Sequence, residues 1–208
     1  MLLTRLFGWG RPRAHRNDEA CATAAADRLI GMGYLKFCPP GERERARAEI
    51  IESLRDGRID SRHDRHGDTR CRRGYDADAE DLADGRVGKT IGRMRGVLRA
   101  EGVPINDVVD LYDDDDDGYH VEIDGKTYVI FRHDDEGQNA WTLATRRLLE
   151  IVDAMLIEAG SAERLYGAYG GHSGRVHFMT CEMHAYLRSL GDAIDGKWMP
   201  CPPTNTDD

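Results

Sequence analysis

Long apolar runs are missing from this sequence. No stretch approaches the roughly 20 consecutive apolar residues that a helix needs to cross a bilayer, so we expect no transmembrane segment. The start, MLLTRLFGWG, is interrupted by Arg5 and lacks a small-residue cleavage site, which argues against a secretory signal peptide. We interpret residues 1–17 as a basic tail, with contact to an anionic membrane as the alternative, and we expect the protein in the cytoplasm.

Paired cysteines are missing as well. The chain has 5 cysteines, an odd number, at wide spacings and without a Cys-x-x-Cys pair. This argues against a disulfide framework and is typical of free thiols in a reducing compartment. Lysine is scarce, with 4 lysines against 25 arginines, a bias that we interpret as the codon usage of a GC-rich bacterial genome.

Acidic residues are outnumbered in the first half of the chain and dominate the second. Residues 1–100 hold 21 Lys and Arg against 16 Asp and Glu, whereas residues 101–208 hold 8 against 22. The net charges of +5 and −14 sum to the −9 of the whole chain. Because carboxylates repel phosphates, the acidic half argues against a nucleic-acid partner and favours a basic protein, or the basic half of a second copy.

Periodic patterns predict one α+β domain over residues 18–192. Helices are expected at about 18–31, 40–56, 86–100, 140–159 and 181–190, and strands at 105–112, 119–123, 126–132 and 175–179. The predicted order is N-terminal helices, a three-stranded antiparallel meander, and then helix–strand–helix on one sheet. Asp124-Gly125 is typical of a two-residue hairpin turn in the meander. Residues 56–75 are expected to form a long charged loop, and residues 193–208 a C-terminal tail.

Residues 83–90 (ADGRVGKT) fit a relaxed phosphate-loop pattern in which Ala83 replaces the first glycine. Such a loop needs a buried strand before it, so that backbone N–H groups converge on a phosphate. Here the acidic segment YDADAEDL precedes the glycines and would repel a phosphate. We therefore interpret these residues as the start of a helix and not as a nucleotide site.

The run Asp113–Asp117 followed by Gly118 is similar to a calcium-binding loop, with Asp124 in its twelfth position. However, His120 stands where an aliphatic residue belongs, and the flanking residues alternate as in strands rather than helices. We interpret the run as a solvated acidic turn and expect no cofactor, with loose binding of Ca²⁺ or Mg²⁺ as the alternative.

The segment 167–174 (GAYGGHSG) is predicted to be a Gly-rich loop that carries binding residues. A serine-hydrolase elbow is not expected, because Arg175 replaces its last glycine and a strand follows. The candidate binding residues of this loop are Arg164, Tyr166, Tyr169, His172 and Arg175. The candidate metal ligands are His177, Cys181 and His184, although a second tight ligand pair is missing and metal binding stays open.

These features predict a non-enzymatic protein-binding module, used as an inhibitor or immunity protein would be. Charge complementarity speeds the encounter with a basic partner and selects it. The residues assigned to the acidic surface are Asp110, Asp113, Asp114, Asp115, Asp116, Asp117, Asp134, Asp135 and Glu136. A metal-assisted enzyme that uses the His, Cys and Glu residues of 172–184 is the alternative, and self-association through the oppositely charged halves is another.

Overall fold

The structure is a computed structural model that describes residues 18–59, 70–113, 118–132, 135, 139–169 and 174–202. The predicted α+β class is confirmed, since helices combine with two sheets of three antiparallel strands each. In this part of the chain, no helix has the length and apolar character that crossing a membrane requires.

Two antiparallel helices lead the described chain, α1 (Glu19–Gly31) and α2 (Arg43–Arg55). The Asp18 carboxylate caps α1 by accepting a hydrogen bond from the backbone N–H of Cys21 at 2.7 Å. One 3-10 turn (Pro40–Glu42) precedes α2, because proline fits the first turn of a helix. Both helices lie within the predicted ranges.

A short strand, β1 (Gly74–Asp76), is followed by the single turn α3 (Ala79–Asp81) and a wide turn (Leu82–Arg86). That turn continues into α4 (Val87–Ala100). The apolar face of α4 is buried; it consists of Val87, Ile91, Met94, Val97 and Leu98.

The meander consists of β2 (Val108–Asp113), β3 (Gly118–Ile123) and β4 (Lys126–Phe131), in the order β2-β3-β4. The hairpin between β3 and β4 turns at Asp124 and Gly125, whose φ angles of 48° and 82° are both positive, as a type I′ turn requires. The predicted meander and its turn are therefore confirmed.

The second half continues with α5 (Ala140–Glu158), β5 (Glu163–Tyr169), β6 (Gly174–Thr180) and α6 (Cys181–Ser189). Asn139 and Thr180 cap the two helices through their side-chain oxygens. Two 3-10 turns follow, Gly191–Ala193 and Gly196–Trp198.

The strands form two sheets instead of the one that the sequence predicted. The second sheet has the order β1-β6-β5, and its strand β5 occupies residues that we had assigned partly to the Gly-rich loop. The described strand residues between Leu165 and Ala168 are buried on both faces, so that no apolar–polar alternation marks them as a strand.

Residues 193–202 pack against the domain and do not form the tail that we predicted. Ile194 is buried, and Cys201 pairs with Gly167 through hydrogen bonds of 2.9 and 2.7 Å in both directions. This pairing covers the outer edge of β5, where a bare strand would invite association with another chain.

Arg73 and Glu163 form an ion pair that is almost completely shielded from solvent, with exposed side-chain fractions of 0% and 2%. The guanidinium donates to both carboxylate oxygens and to the carbonyl oxygens of Gly33, Tyr34 and Phe178. These bonds tie the end of α1 to β5 and β6 across the second sheet. The predicted loop 56–75 therefore contains a buried anchor, although residues 60–69 lie outside the described part.

Candidate functional site

The two faces of the meander have different surroundings. Side chains opposite one another in the strand register share a face, and Val108, Asp110 and Tyr112 lie opposite the buried residues Ile123, Val121 and Tyr119. This inner face packs against α4 and α5. The outer face carries the intervening positions, which are Val109, Leu111, His120, Glu122, Thr127 and Val129.

The outer face presents apolar side chains to solvent. Val109 and Leu111 are 40% and 41% exposed, whereas the inner-face residues of the neighbouring strand β3 are buried; on the inner face of β2, Tyr112 is 54% exposed. Leu111 lies in register with His120, which lies in register with Val129 on β4. A row of two aliphatic side chains and a histidine therefore crosses the outer face.

Carboxylates lie around this row. Glu122 is on the outer face between Val109 and Thr127, and Asp107 is exposed just before β2. Asp124 at the hairpin turn accepts hydrogen bonds from the backbone N–H groups of Asn106 and Asp107, the shortest of which is 2.8 Å. Asp124 thus fixes the backbone leading into β2 while its turn stays exposed.

The remaining residues of the predicted acidic surface are only partly described. Asp113 ends β2, and Asp135 accepts a hydrogen bond from the backbone N–H of Arg132 at 2.8 Å. Asp114–Asp117, which also make up most of the similarity to a calcium loop, lie outside the described residues, as do Asp134 and Glu136.

Asp110 does not belong to the acidic surface to which we had assigned it. Its carboxylate accepts hydrogen bonds from the backbone N–H groups of Gly88 and Lys89, at 2.6 and 3.0 Å, and from the Tyr119 hydroxyl at 2.5 Å. The Tyr119 hydroxyl in turn accepts the N–H of Val87 at 2.8 Å. Burial and the Asp110 carboxylate raise the pKa of Tyr119 far above its ordinary value, so this residue stays a hydrogen-bond donor.

This contact also explains the phosphate-loop pattern. The N–H groups at the start of α4 that a phosphate would need are occupied by Asp110. Glycines at positions 85, 88 and 92 are each nearest to an inward-facing side chain of β2, namely Tyr112, Asp110 and Val108. The glycine spacing therefore lets α4 approach β2 closely, and the helical interpretation of this segment agrees with the structure.

Ion pairs do not neutralise the meander carboxylates within the described chain. Several basic residues of the first half pair with other acids, as in Arg47–Asp27, Arg70–Glu42 and Lys36–Glu101. None of the ion pairs between described residues includes Asp107, Glu122 or Asp124.

The candidate binding residues that we predicted around the Gly-rich loop do not lie together in the fold. Arg175 is buried, and Arg164 donates to the carbonyl oxygens of Ser161 and Glu163. Tyr169 lies on β5, but its side chain and the whole of His172 lie outside the described part. Residues 167–169 of the predicted loop therefore belong to strand β5 and Gly174 to β6, whereas residues 170–173 lie outside the described part.

Tyr166, Cys181 and His184 do come together. The Tyr166 hydroxyl donates to the sulfur of Cys181 at 3.7 Å, and its ring stacks on His184 at 4.4 Å between ring centres. The His184 ring also hydrogen bonds through Nε2 to the carbonyl oxygen of Pro200 at 2.8 Å. His177 is fully buried on β6, and no three His, Cys, Asp or Glu residues of the described chain lie close enough to hold a metal ion.

Sequence reasoning missed Asp153, which lies on α5 and accepts a hydrogen bond from the backbone N–H of Leu165 at 2.6 Å. Burial raises the pKa of Asp153, while that hydrogen bond and Arg164 act in the opposite direction. Its bond occupies the outer edge of β5 next to the pairing of Gly167 with Cys201. No local signal identifies such an acid, because its partner is a backbone group 12 residues away.

Comparison of the sequence with protein-family models yields no match, and comparisons with curated proteins and with solved structures yield none either.

Proposed function

We propose that the protein is a non-enzymatic binding module that uses the outer face of the meander to engage a protein with a basic surface. The observation that carries this proposal is the exposure of Val109 and Leu111, at 40% and 41%, on a sheet face against which no described helix packs. Protein interfaces commonly combine an apolar centre with a polar rim, which matches the arrangement of these two side chains and the neighbouring carboxylates.

The charge of the segment supports a basic partner. Residues 105–135 contain 11 Asp and Glu against 2 Lys and Arg. Asp110 is removed from the binding surface by its bonds to α4, but the exposed Asp107 and the half-buried Glu122 remain available at the rim. The electrostatic field of such an acidic segment accelerates association with a basic protein and makes the association rate depend on the salt concentration. An inhibitor or immunity protein would use a surface of this kind.

The metal-assisted enzyme has less support from the geometry. His177 is enclosed in the second sheet, and Nε2 of His184 is engaged by a backbone carbonyl. Cys181 and His184 therefore supply at most one pair of ligands, whereas catalytic metal sites usually have three protein ligands.

Photo-crosslinking from the outer face tests the proposal. A photoreactive amino acid would replace Leu111 in one full-length variant and Ile157 in a control variant, since Ile157 is an exposed apolar residue on α5 at 58%. Both proteins would be irradiated in bacterial lysate at low and high salt, and the captured proteins identified by mass spectrometry.

We expect position 111, and not position 157, to capture a protein with a basic surface, and we expect less capture at high salt. A follow-up titration with that purified protein would measure the affinity. Equal capture from both positions, or capture of acidic proteins from position 111, would contradict the proposal.

A further inference from the structure

Strand β2 forms one edge of the meander, since within the described residues it pairs with β3 alone. The backbone N–H of Asp124 donates to the carbonyl oxygen of Asp107 at 3.1 Å, and these two residues continue the register of β2 and β3. In an antiparallel pair, residues whose backbone bonds to the neighbouring strand alternate with residues whose backbone points away from it. The bond between Asp124 and Asp107 therefore fixes which residues of β2 bond to β3.

This alternation leaves a row of backbone groups on the open side of β2. Val109 and Leu111 bond to β3, whereas the backbone groups of Val108, Asp110 and Tyr112 point away from it. Among the described residues, none accepts a hydrogen bond from these three N–H groups. All five side chains are exposed or half-buried. The edge of β2 is therefore open to a further strand.

The sequence around this edge is acidic. Asp107 is exposed just before β2, and the run Asp113–Asp117 begins where β2 ends. If two copies of β2 paired antiparallel about Asp110, position 113 of one copy would lie opposite Asp107 of the other. Like charges in opposite positions destabilise a sheet, so the edge disfavours a second copy and favours a strand with lysine or arginine at both ends.

The other edge of the meander has the opposite charge. Strand β4 begins at Lys126, and Arg132 follows its end directly. Helix α5 also packs against β4. A basic strand would be repelled by these two cations, so β2 is the edge that fits it.

We infer that the partner contributes an extended basic segment, which adds to the edge of β2 as a fourth strand of the meander. This inference rests on the proposed function and specifies how the partner binds. Side chains opposite one another share a face, so alternate residues of the added strand would lie beside Val109 and Leu111. They would extend the apolar centre of the outer face, and the basic residues would lie towards the acidic ends of β2.

Amide hydrogen exchange of the isotope-labelled full-length protein, followed by NMR, tests whether the edge is open. We expect the N–H groups of Val108, Asp110 and Tyr112 to exchange at least about 10-fold faster than those of Val109 and Leu111. Equal protection of all five groups would overturn the inference. Protection that increases with protein concentration alone would also overturn it, because a second copy would then occupy the edge.

A synthetic peptide, Lys-Thr-Val-Thr-Val-Thr-Lys with both termini blocked, then serves as the probe. One control peptide carries N-methyl groups on its three threonine amides, and another has glutamate in place of lysine. At saturation we expect the basic peptide to slow exchange at Val108, Asp110 and Tyr112 at least about 10-fold. Both control peptides should bind at least about 10-fold more weakly, because one lacks the backbone donors and the other has the wrong charge.

Proline at an outward position should block the edge. Val108→Pro removes an outward N–H group without removing a bond to β3, and it should weaken binding of the basic peptide at least about 10-fold. Thr127→Pro is the matched control, because the N–H of Thr127 points outward from the other edge. It should leave peptide binding unchanged, and the N-methylated peptide keeps the test valid if a variant unfolds.

The outcomes separate this inference from the proposed function. Equal binding of the basic peptide and its N-methylated form would overturn strand addition, while capture from position 111 would still support the outer face as a binding surface. No binding of the basic peptide, or equal binding of the acidic peptide, would also overturn the inference.

Discussion

Substitution of Gly88 by alanine would place a methyl group where Asp110 caps α4. A Cβ built at this position lies 2.7 Å from Oδ1 of Asp110 and 2.9 Å from its Cγ, which is closer than such atoms approach in real structures. The Asp110 carboxylate would have to withdraw from the helix. The backbone N–H groups of Gly88 and Lys89 would then lose their acceptor, and Tyr119 would lose one of its two hydrogen bonds.

The expected cost follows from those bonds. Three hydrogen bonds to a charged acceptor contribute about 1.5 kcal/mol each, or about 4.5 kcal/mol together. Alanine is about 1 kcal/mol more favourable than glycine inside a helix, and this offsets part of the loss. We therefore expect Gly88→Ala to lower the free energy of unfolding by about 3.5 kcal/mol.

Urea unfolding followed by circular dichroism measures this difference, and Gly96→Ala in the same helix is the matched control. Its added Cβ would meet only Nη1 of the Arg72 side chain at 3.9 Å, so the helix-propensity gain of up to about 1 kcal/mol should appear without a penalty. If Gly88→Ala is as stable as Gly96→Ala, the proposed close contact between α4 and Asp110 is wrong.

Other substitutions test further parts of the structure. Glu163→Gln leaves the buried Arg73 charge without its partner and should cost about 3–5 kcal/mol in urea unfolding, whereas a loss below 1 kcal/mol would contradict the buried pair. Because burial raises the pKa of Asp153, its ionised form destabilises the fold above that pKa. Asp153→Asn should therefore raise the urea midpoint at pH 7, and this gain should disappear as the pH falls below 3.8. A gain that persists below that pH would point to another cause. Among the described thiols, Cys181 should react first with iodoacetamide, as peptide mass spectrometry would show. Cys181 is exposed, and the pKa of the other exposed thiol, Cys21, is raised by its hydrogen bond to a neighbouring carboxylate. Faster labelling of Cys21 would contradict this prediction.

Local sequence signals identified the elements whose causes are local. The two-residue turn at Asp124-Gly125 and the helix at 140–159 depend on neighbouring residues, and both were predicted. Strand β5 was missed in large part, because its described residues are buried on both sides and include Gly167. Its strand conformation depends on pairing with β6 and with the C-terminal segment around Cys201. Both of these partners lie later in the chain.

The errors at the candidate site have the same origin. Asp110 alternates with Val109 and Leu111, so its inward orientation could have been anticipated, but its partners at Gly88 and Lys89 are more than 20 residues away. Arg73 lies in a highly charged segment, and only the folded chain brings Glu163 to it, 90 residues further on. Long-range partners of single polar residues are not encoded in local periodicity.

The binding proposal depends most directly on the affinity of the captured basic protein for the outer face. Isothermal titration with that purified protein would compare the double variant Val109→Ser/Leu111→Ser with the control Ile157→Ser. We predict at least a 10-fold loss of affinity in the double variant and none in the control, because truncation at the centre of an interface costs more than about 1 kcal/mol. Equal affinity of the two variants would contradict the assignment of the outer face as the binding surface.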